Sequence, residues 1–133
     1  MLKGLFLALV AVVVLVGCAG DESSVVPSPY MGIYEGVWVS KTDANDRGSS
    51  EWTVDGAGNV EGEDFDPTNE ILYRVQGRIE NGQLMATATP NNGDAAASLS
   101  GPFGFNAVGQ LTGDLVWGVT PPLTYNYLLN PKR

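Results

Sequence analysis

Few residue types in this chain can carry acid–base or nucleophilic chemistry. The 133-residue sequence holds no histidine and one cysteine, Cys18, beside fifteen acidic residues. Ser-His-Asp and Cys-His triads and histidine-based zinc sites are excluded, because each needs an imidazole. No glycine-rich loop has the lysine and the spacing of a phosphate-binding loop. A converging pair of carboxylates is the remaining catalytic arrangement, and we expect the protein not to be an enzyme.

The acidic residues are densest between residues 61 and 70. Calcium takes six to eight oxygen ligands, which makes Asp64, Asp66 and Glu70 candidate metal ligands. The segment does not fit the spacing of a calcium-binding loop, and a solvated acidic loop is the competing interpretation. We expect the solvated loop and no metal cofactor.

Aromatic residues are the second group that could hold a ligand. Those on the apolar side of the alternation described below are Trp38, Trp52, Tyr73, Phe103, Trp117, Tyr125 and Tyr127. They either line a pocket for an apolar or sugar-like ligand or fill the interior of a narrow barrel. Few inward positions carry a polar group that could orient a ligand, and this favours a filled interior.

Residues 1–17 have the organisation of a secretion signal. Lys3 supplies an early positive charge, and no polar residue interrupts Leu5 to Val16. The run is shorter than the roughly 20 apolar residues of a membrane-spanning helix. A plain secretion signal or an uncleaved anchor would share these features.

The end of this segment, Leu15-Val16-Gly17-Cys18, resembles the lipobox of bacterial lipoproteins. In that family the signal peptide is cut before the cysteine, which carries a diacylglycerol, and its new amino group is usually acylated, for example with palmitate. The resemblance implies that Cys18 is the lipidation site and a membrane anchor in the cell envelope. We expect no cofactor beyond this covalent lipid. Ala19 stands where an Asp would favour retention at the inner membrane, so in a host with two membranes we expect the protein in the periplasm, anchored to the outer one.

The predicted organisation has three parts: a signal peptide at 1–17, the lipidated cysteine and a flexible tether at 18–29, and one domain at 30–133. Removal of the signal takes Lys3 away and leaves six basic and fifteen acidic residues, a net charge near −9. Such a domain repels phosphates, so we expect no nucleic-acid partner. The tether is polar and proline-punctuated, as flexible linkers are.

From Tyr30 onward apolar and polar residues alternate, with turn residues every ten or so positions. The pattern predicts eight strands, centred near 32–40, 49–55, 59–65, 70–80, 83–89, 95–105, 109–118 and 123–129. No stretch keeps an apolar period of 3.6 residues, so beyond the signal helix we expect almost no helix. The expected fold is all-β: a small antiparallel up-and-down barrel or a β-sandwich.

Glycine recurs on the apolar parity, where it would let strands coil and leave room for a neighbouring ring. The positions are Gly36, Gly62, Gly77, Gly101 and Gly113. Gly36-Val37-Trp38 and the Gly-x-Leu-x-Gly hairpin at 109–113 resemble those of avidin-like and lipocalin-like meander barrels. That resemblance implies an architecture, and no ligand residue is carried over from it.

We therefore expect a lipid-anchored envelope protein whose barrel head is a structural or protein-binding module. Its expected partners are the membrane, through the lipid, and a protein of the envelope. The alternative is a carrier or receptor that holds a small ligand inside the barrel.

Overall fold

A computed structural model describes residues 26–132 of the chain. The predicted signal helix, Cys18 and most of the predicted tether lie outside the described residues. Within residues 26–132, no helix is long and apolar enough to span a membrane.

The described part of the chain folds into nine β-strands. Their bounds are β1 Gly32–Ser40, β2 Arg47–Val54, β3 Asn59–Asp66, β4 Ile71–Glu80, β5 Gln83–Pro90, β6 Ala97–Pro102, β7 Gly104–Phe105, β8 Leu111–Trp117 and β9 Leu123–Pro131.

The strands form one closed antiparallel barrel. From β1 to β6 each strand pairs with the next, and β6 then pairs with β8. β9 pairs with β8 on one side and β1 on the other, through seven registered positions each, which closes an eight-stranded sheet. β7 adds a two-residue ladder to β8. The predicted all-β fold and up-and-down barrel are confirmed, and the sandwich alternative is wrong because this sheet closes on itself.

The sixth predicted strand, 95–105, is divided in the structure. β6 ends at Pro102, which has no N–H to give to a ladder, and β7 begins at Gly104. Phe103 lies between them and donates its N–H to the Gly82 carbonyl oxygen at 2.9 Å. Its ring is buried in the core.

Inward glycines lie where a neighbouring strand approaches too closely for a side chain. A Cβ on Gly36 would overlap the Leu128 carbonyl oxygen, and one on Gly77 would overlap that of Met85. A Cβ on Gly62 would lie 2.7 Å from Cδ1 of the Trp52 ring. The predicted room for a neighbouring ring is therefore confirmed at Gly62, whereas Gly36 and Gly77 allow the close approach of a neighbouring backbone.

The barrel has a closed end, where the described chain enters. Ser28 donates its N–H to the Gly56 carbonyl oxygen at 2.8 Å, and the Tyr30 hydroxyl accepts the Gly82 N–H at 3.0 Å. The Tyr30 ring stacks on Phe105 with a centroid separation of 5.6 Å. These contacts fix residues 28–30 across this end of the barrel.

The opposite end, which we call the mouth, is formed by the loops at 41–46, 67–70, 91–96 and 118–122. The antiparallel order places these loops together, because each joins strands whose other ends lie at the closed end. The mouth and the point where the chain enters are therefore at opposite ends of the barrel.

The predicted inward parity is confirmed through most of the interior. Buried side chains with no more than 1% exposure include Trp52, Val54, Val75, Ile79, Leu84, Leu99, Leu111, Leu115 and Leu129. On the same parity, Phe105 at 46% and Leu123 at 37% are exposed. Phe105 lies at the closed end and Leu123 at the mouth, where the interior ends.

Candidate functional site

A cavity of about 250 Å³ lies at the mouth of the barrel, and we call it the mouth cavity. The ends of β1, β4, β8 and β9 supply its aromatic wall, with Trp38, Tyr73, Trp117 and Tyr125. At ~30 Å³ for each water molecule, the cavity has room for about eight waters or one small organic molecule. The interior is thus packed towards the closed end and open at the mouth.

The four aromatic rings contact one another in sequence along the wall. Tyr73 meets Trp117 edge to face with centroids 4.9 Å apart. Trp117 meets Tyr125 at 6.3 Å, and Tyr125 meets Trp38 at 5.3 Å, also edge to face. Such perpendicular pairs are a favoured aromatic geometry, and here they fix a continuous arc of rings.

Asp64 forms part of the cavity lining with a side chain that is almost fully buried, at 1% exposure. Its Oδ1 accepts hydrogen bonds from Ser50 Oγ and Trp52 Nε1, both at 2.7 Å. Its Oδ2 accepts one from the Tyr127 hydroxyl at 2.5 Å. The first two donors come from β2 beside Asp64 on β3, and the third comes from β9, so this carboxyl group ties β9 to β2 and β3.

Burial changes the acid–base behaviour of this group. Burial raises the pKa of Asp64, opposed by the hydrogen bonds from Tyr127, Ser50 and Trp52. Burial also raises the pKa of Tyr127 well above its ordinary value, and the charge and hydrogen bond of Asp64 raise it further. The phenol therefore remains the proton donor of this pair.

Two further carboxyl groups line the mouth cavity, those of Asp46 and Asp66. Asp46 accepts a hydrogen bond from the Tyr125 hydroxyl at 2.7 Å. Burial raises the pKa of Tyr125, and the hydrogen bond to Asp46 adds to this effect. Asp66 accepts the Thr68 N–H at 3.0 Å and the Asn69 Nδ2 group at 2.9 Å, which holds the β3–β4 turn.

The structure brings together five of the seven aromatic residues predicted to line a ligand site or fill the interior: Trp38, Tyr73, Trp117, Tyr125 and Tyr127. The other two do not line the cavity. Trp52 packs 5.7 Å from Phe103, measured between ring centroids, and both rings are buried in the core rather than in the cavity wall. They share the inward parity with the five lining rings but lie deeper in the barrel.

The predicted solvated acidic loop is also corrected. Asp64 and Asp66 belong to β3 and are buried at 1% and 6% exposure, whereas Glu61, Glu63 and Glu70 are exposed. Within residues 26–132, no group of three or more acidic, histidine or cysteine side chains is placed to hold a metal ion. Asp46, Asn69, Val119 and Leu123 also line the cavity. For Asp46 no signal was available in the sequence.

Comparison with protein-family models, curated proteins and solved structures gives no significant match to this chain.

Proposed function

We propose that this protein is a lipid-anchored binding protein of the bacterial cell envelope, with a barrel head that takes a small molecule in the mouth cavity. The observation that carries the proposal is a concave site of about 250 Å³ that combines aromatic rings with carboxyl groups. Sites for small molecules are typically concave and largely apolar, with a few polar groups that fix orientation. A structural module with a filled interior would not require such an opening.

The anchor in this proposal is the lipid on Cys18, as the lipobox-like Leu15-Val16-Gly17-Cys18 implies. Stable anchoring needs more than one acyl chain, which a lipoprotein-type cysteine supplies. The described chain meets the barrel at its closed end through Ser28 and Tyr30. A tether attached there would hold the closed end nearer the bilayer and direct the mouth away from it, towards a soluble ligand.

The NMR signals of the tryptophan indole groups provide the test, because the three tryptophans of the chain lie at two depths in the barrel. Trp38 and Trp117 line the cavity, and Trp52 is buried in the core. We would purify the full chain, ¹⁵N-labelled at tryptophan, in a non-ionic polyoxyethylene detergent that carries neither a cation nor a sugar. Choline, glucose, acetate and cyclohexanol would be the probes.

Saturable shifts of the Trp38 and Trp117 indole signals with at least one probe, larger than the shift of Trp52, are the expected result. If no probe shifts the mouth indoles, or if Trp52 responds as much as they do, the binding proposal fails.

A protein-binding role is the second candidate, and the outer wall supports it. Phe65 is 39% exposed there and pairs with Leu72 on β4 and Ser49 on β2, at the edge of an open depression. A photo-cross-linker at position 65 should then capture one envelope protein in cells. The control is a cross-linker at Met85, which is 73% exposed, and equal, unspecific yields at both positions would contradict this role.

A further inference from the structure

We propose that the ligand of the mouth cavity is a small organic cation, an ammonium group that carries alkyl substituents. The inference rests on the proposed ligand-binding function and names its chemistry. Two features of the cavity carry it, the arc of aromatic rings and the sign of the ionisable groups beside them.

The aromatic arc supplies one half of cation recognition. The faces of tryptophan and tyrosine rings attract cations, and several rings around one site recognise alkylated ammonium groups. Tyr73, Trp117 and Tyr125 lie in consecutive edge-to-face contact, with centroid separations of 4.9 and 6.3 Å. Neighbouring rings at steep angles offer surfaces on more than one side of a compact guest.

The carboxyl groups supply the other half. Among the described residues, Asp46, Asp64 and Asp66 line the cavity, and no lysine or arginine does. The ion pairs found within residues 26–132 include none of these three groups. The Asp64 side chain is 1% exposed, so its carboxyl group is buried beside the cavity and adds acceptor oxygens to it. The pKa of Tyr73 is raised by burial and then by the charges of Asp66, Asp46 and Asp94, which indicates a negative potential at the aromatic wall.

The hydrogen bonds already made in the site disfavour other ligand classes. The Tyr125 and Tyr127 hydroxyls donate to Asp46 and Asp64. With these donors engaged, the site offers acceptor oxygens and ring faces. An anion would be repelled, and a neutral apolar molecule would displace water from the carboxyl groups without compensating them for it. A cation interacts favourably with both the carboxyl groups and the rings.

Choline and its neutral isostere 3,3-dimethylbutan-1-ol separate charge from shape. We expect calorimetric titration of the full chain in the same detergent to show choline binding at least about tenfold more tightly than the isostere, a ratio in the range expected for cation–π and ion-pair contacts. Trp117→Leu should weaken choline binding by about tenfold or more.

Matched variants distinguish charge from local packing. Asp46→Asn should weaken choline binding by about fivefold, whereas Glu63→Gln removes the same charge from the outer wall and should change it by less than about twofold. Tyr125→Phe loses the hydrogen bond to Asp46 but keeps both the ring and the carboxylate, and should bind choline within about twofold of the parent.

The outcomes distinguish failure of the cation inference from failure of the ligand-binding proposal. Equal binding of choline and its isostere, or mouth indole shifts with glucose and none with choline, would overturn the cation inference while ligand binding stands. No response of the mouth indoles to any probe would overturn both.

Discussion

At the scale of single residues, Asp64 joins three strands of the barrel near its mouth. An aspartate on the inner face of a narrow barrel would be costly without partners. Ser50, Trp52 and Tyr127 each donate to it, and the described residues leave no buried side-chain polar atom without a hydrogen bond. The carboxyl group therefore cross-links β2, β3 and β9 beside the cavity.

Replacement of Asp64 by alanine should destabilise the fold strongly. The three donors would lose their acceptor, and a buried group left without a partner costs ~1–3 kcal/mol. We expect a loss of at least ~3 kcal/mol in the free energy of unfolding, measured by urea denaturation with tryptophan fluorescence. Asp64→Asn keeps an acceptor for Ser50 and Trp52 and offers an amide donor to Tyr127, so it should lose less than half as much. Equal losses in the two variants would contradict the assigned hydrogen bonds.

The raised pKa of Asp64 also predicts a pH dependence of stability. The native state holds this proton at pH values where the unfolded chain, with an ordinary value near 3.8, has released it. The contribution of Asp64 is therefore fully present below that value and is lost as pH rises towards the native pKa. Between pH 4 and 8, the stability of the parent should fall relative to that of Asp64→Asn. A difference between the two proteins that stays constant over this range would contradict the direction of the shift.

At the scale of the strands, the inward glycines set how closely neighbouring strands approach. Gly77→Ala would place a methyl group against the Met85 carbonyl oxygen and the Ala86 Cα, the latter at 2.5 Å. Because backbone must move to relieve this contact, we expect a loss of about 2 kcal/mol or more in unfolding free energy.

Gly104→Ala is the matched control for that variant. A Cβ on Gly104 meets no atom within 4 Å, so the unfolding free energy should change by less than ~0.5 kcal/mol. Comparable losses of unfolding free energy in the two variants would mean that the effect of replacing these glycines comes from backbone freedom and not from contact between strands.

The strands also show what the sequence could and could not predict. Because one buried face per strand imposes a period of two, alternation and turn residues place seven of the eight predicted strands, and the sixth is divided at Phe103. The same parity puts Asp64 and Asp66 inward with Val60. An acidic residue is nevertheless predicted to face solvent when the hydrogen-bond donors to its carboxyl group are unknown. Those donors include Tyr127, which is 63 positions away from Asp64 in the chain.

Parity also does not give the depth of an inward residue along the barrel axis. Trp38 and Trp52 share the inward parity, yet Trp38 lines the mouth cavity and Trp52 is packed in the core. The pairing of the strands decides this difference, since it sets which inward residues lie at the same level. The candidate rings were therefore predictable as inward residues, but their division between core and cavity was not.

At the scale of the whole molecule, we propose a membrane anchor joined to a barrel that opens at its far end. Cys18→Ser should abolish incorporation of labelled palmitate and move the protein from the membrane to the soluble fraction, since the thioether-linked lipid needs the sulfur. Ser23→Ala, a change nearby in the tether, should leave both unchanged. Palmitate incorporation that persists in Cys18→Ser would contradict the anchor.

The most direct test of the central claim is a crystal structure of the protein grown with tetramethylammonium chloride. The account predicts the cation inside the mouth cavity, against the faces of Tyr73, Trp117 and Tyr125 and near the carboxylate of Asp46. An empty cavity at saturating cation, or a mouth filled by collapsed side chains, would contradict it.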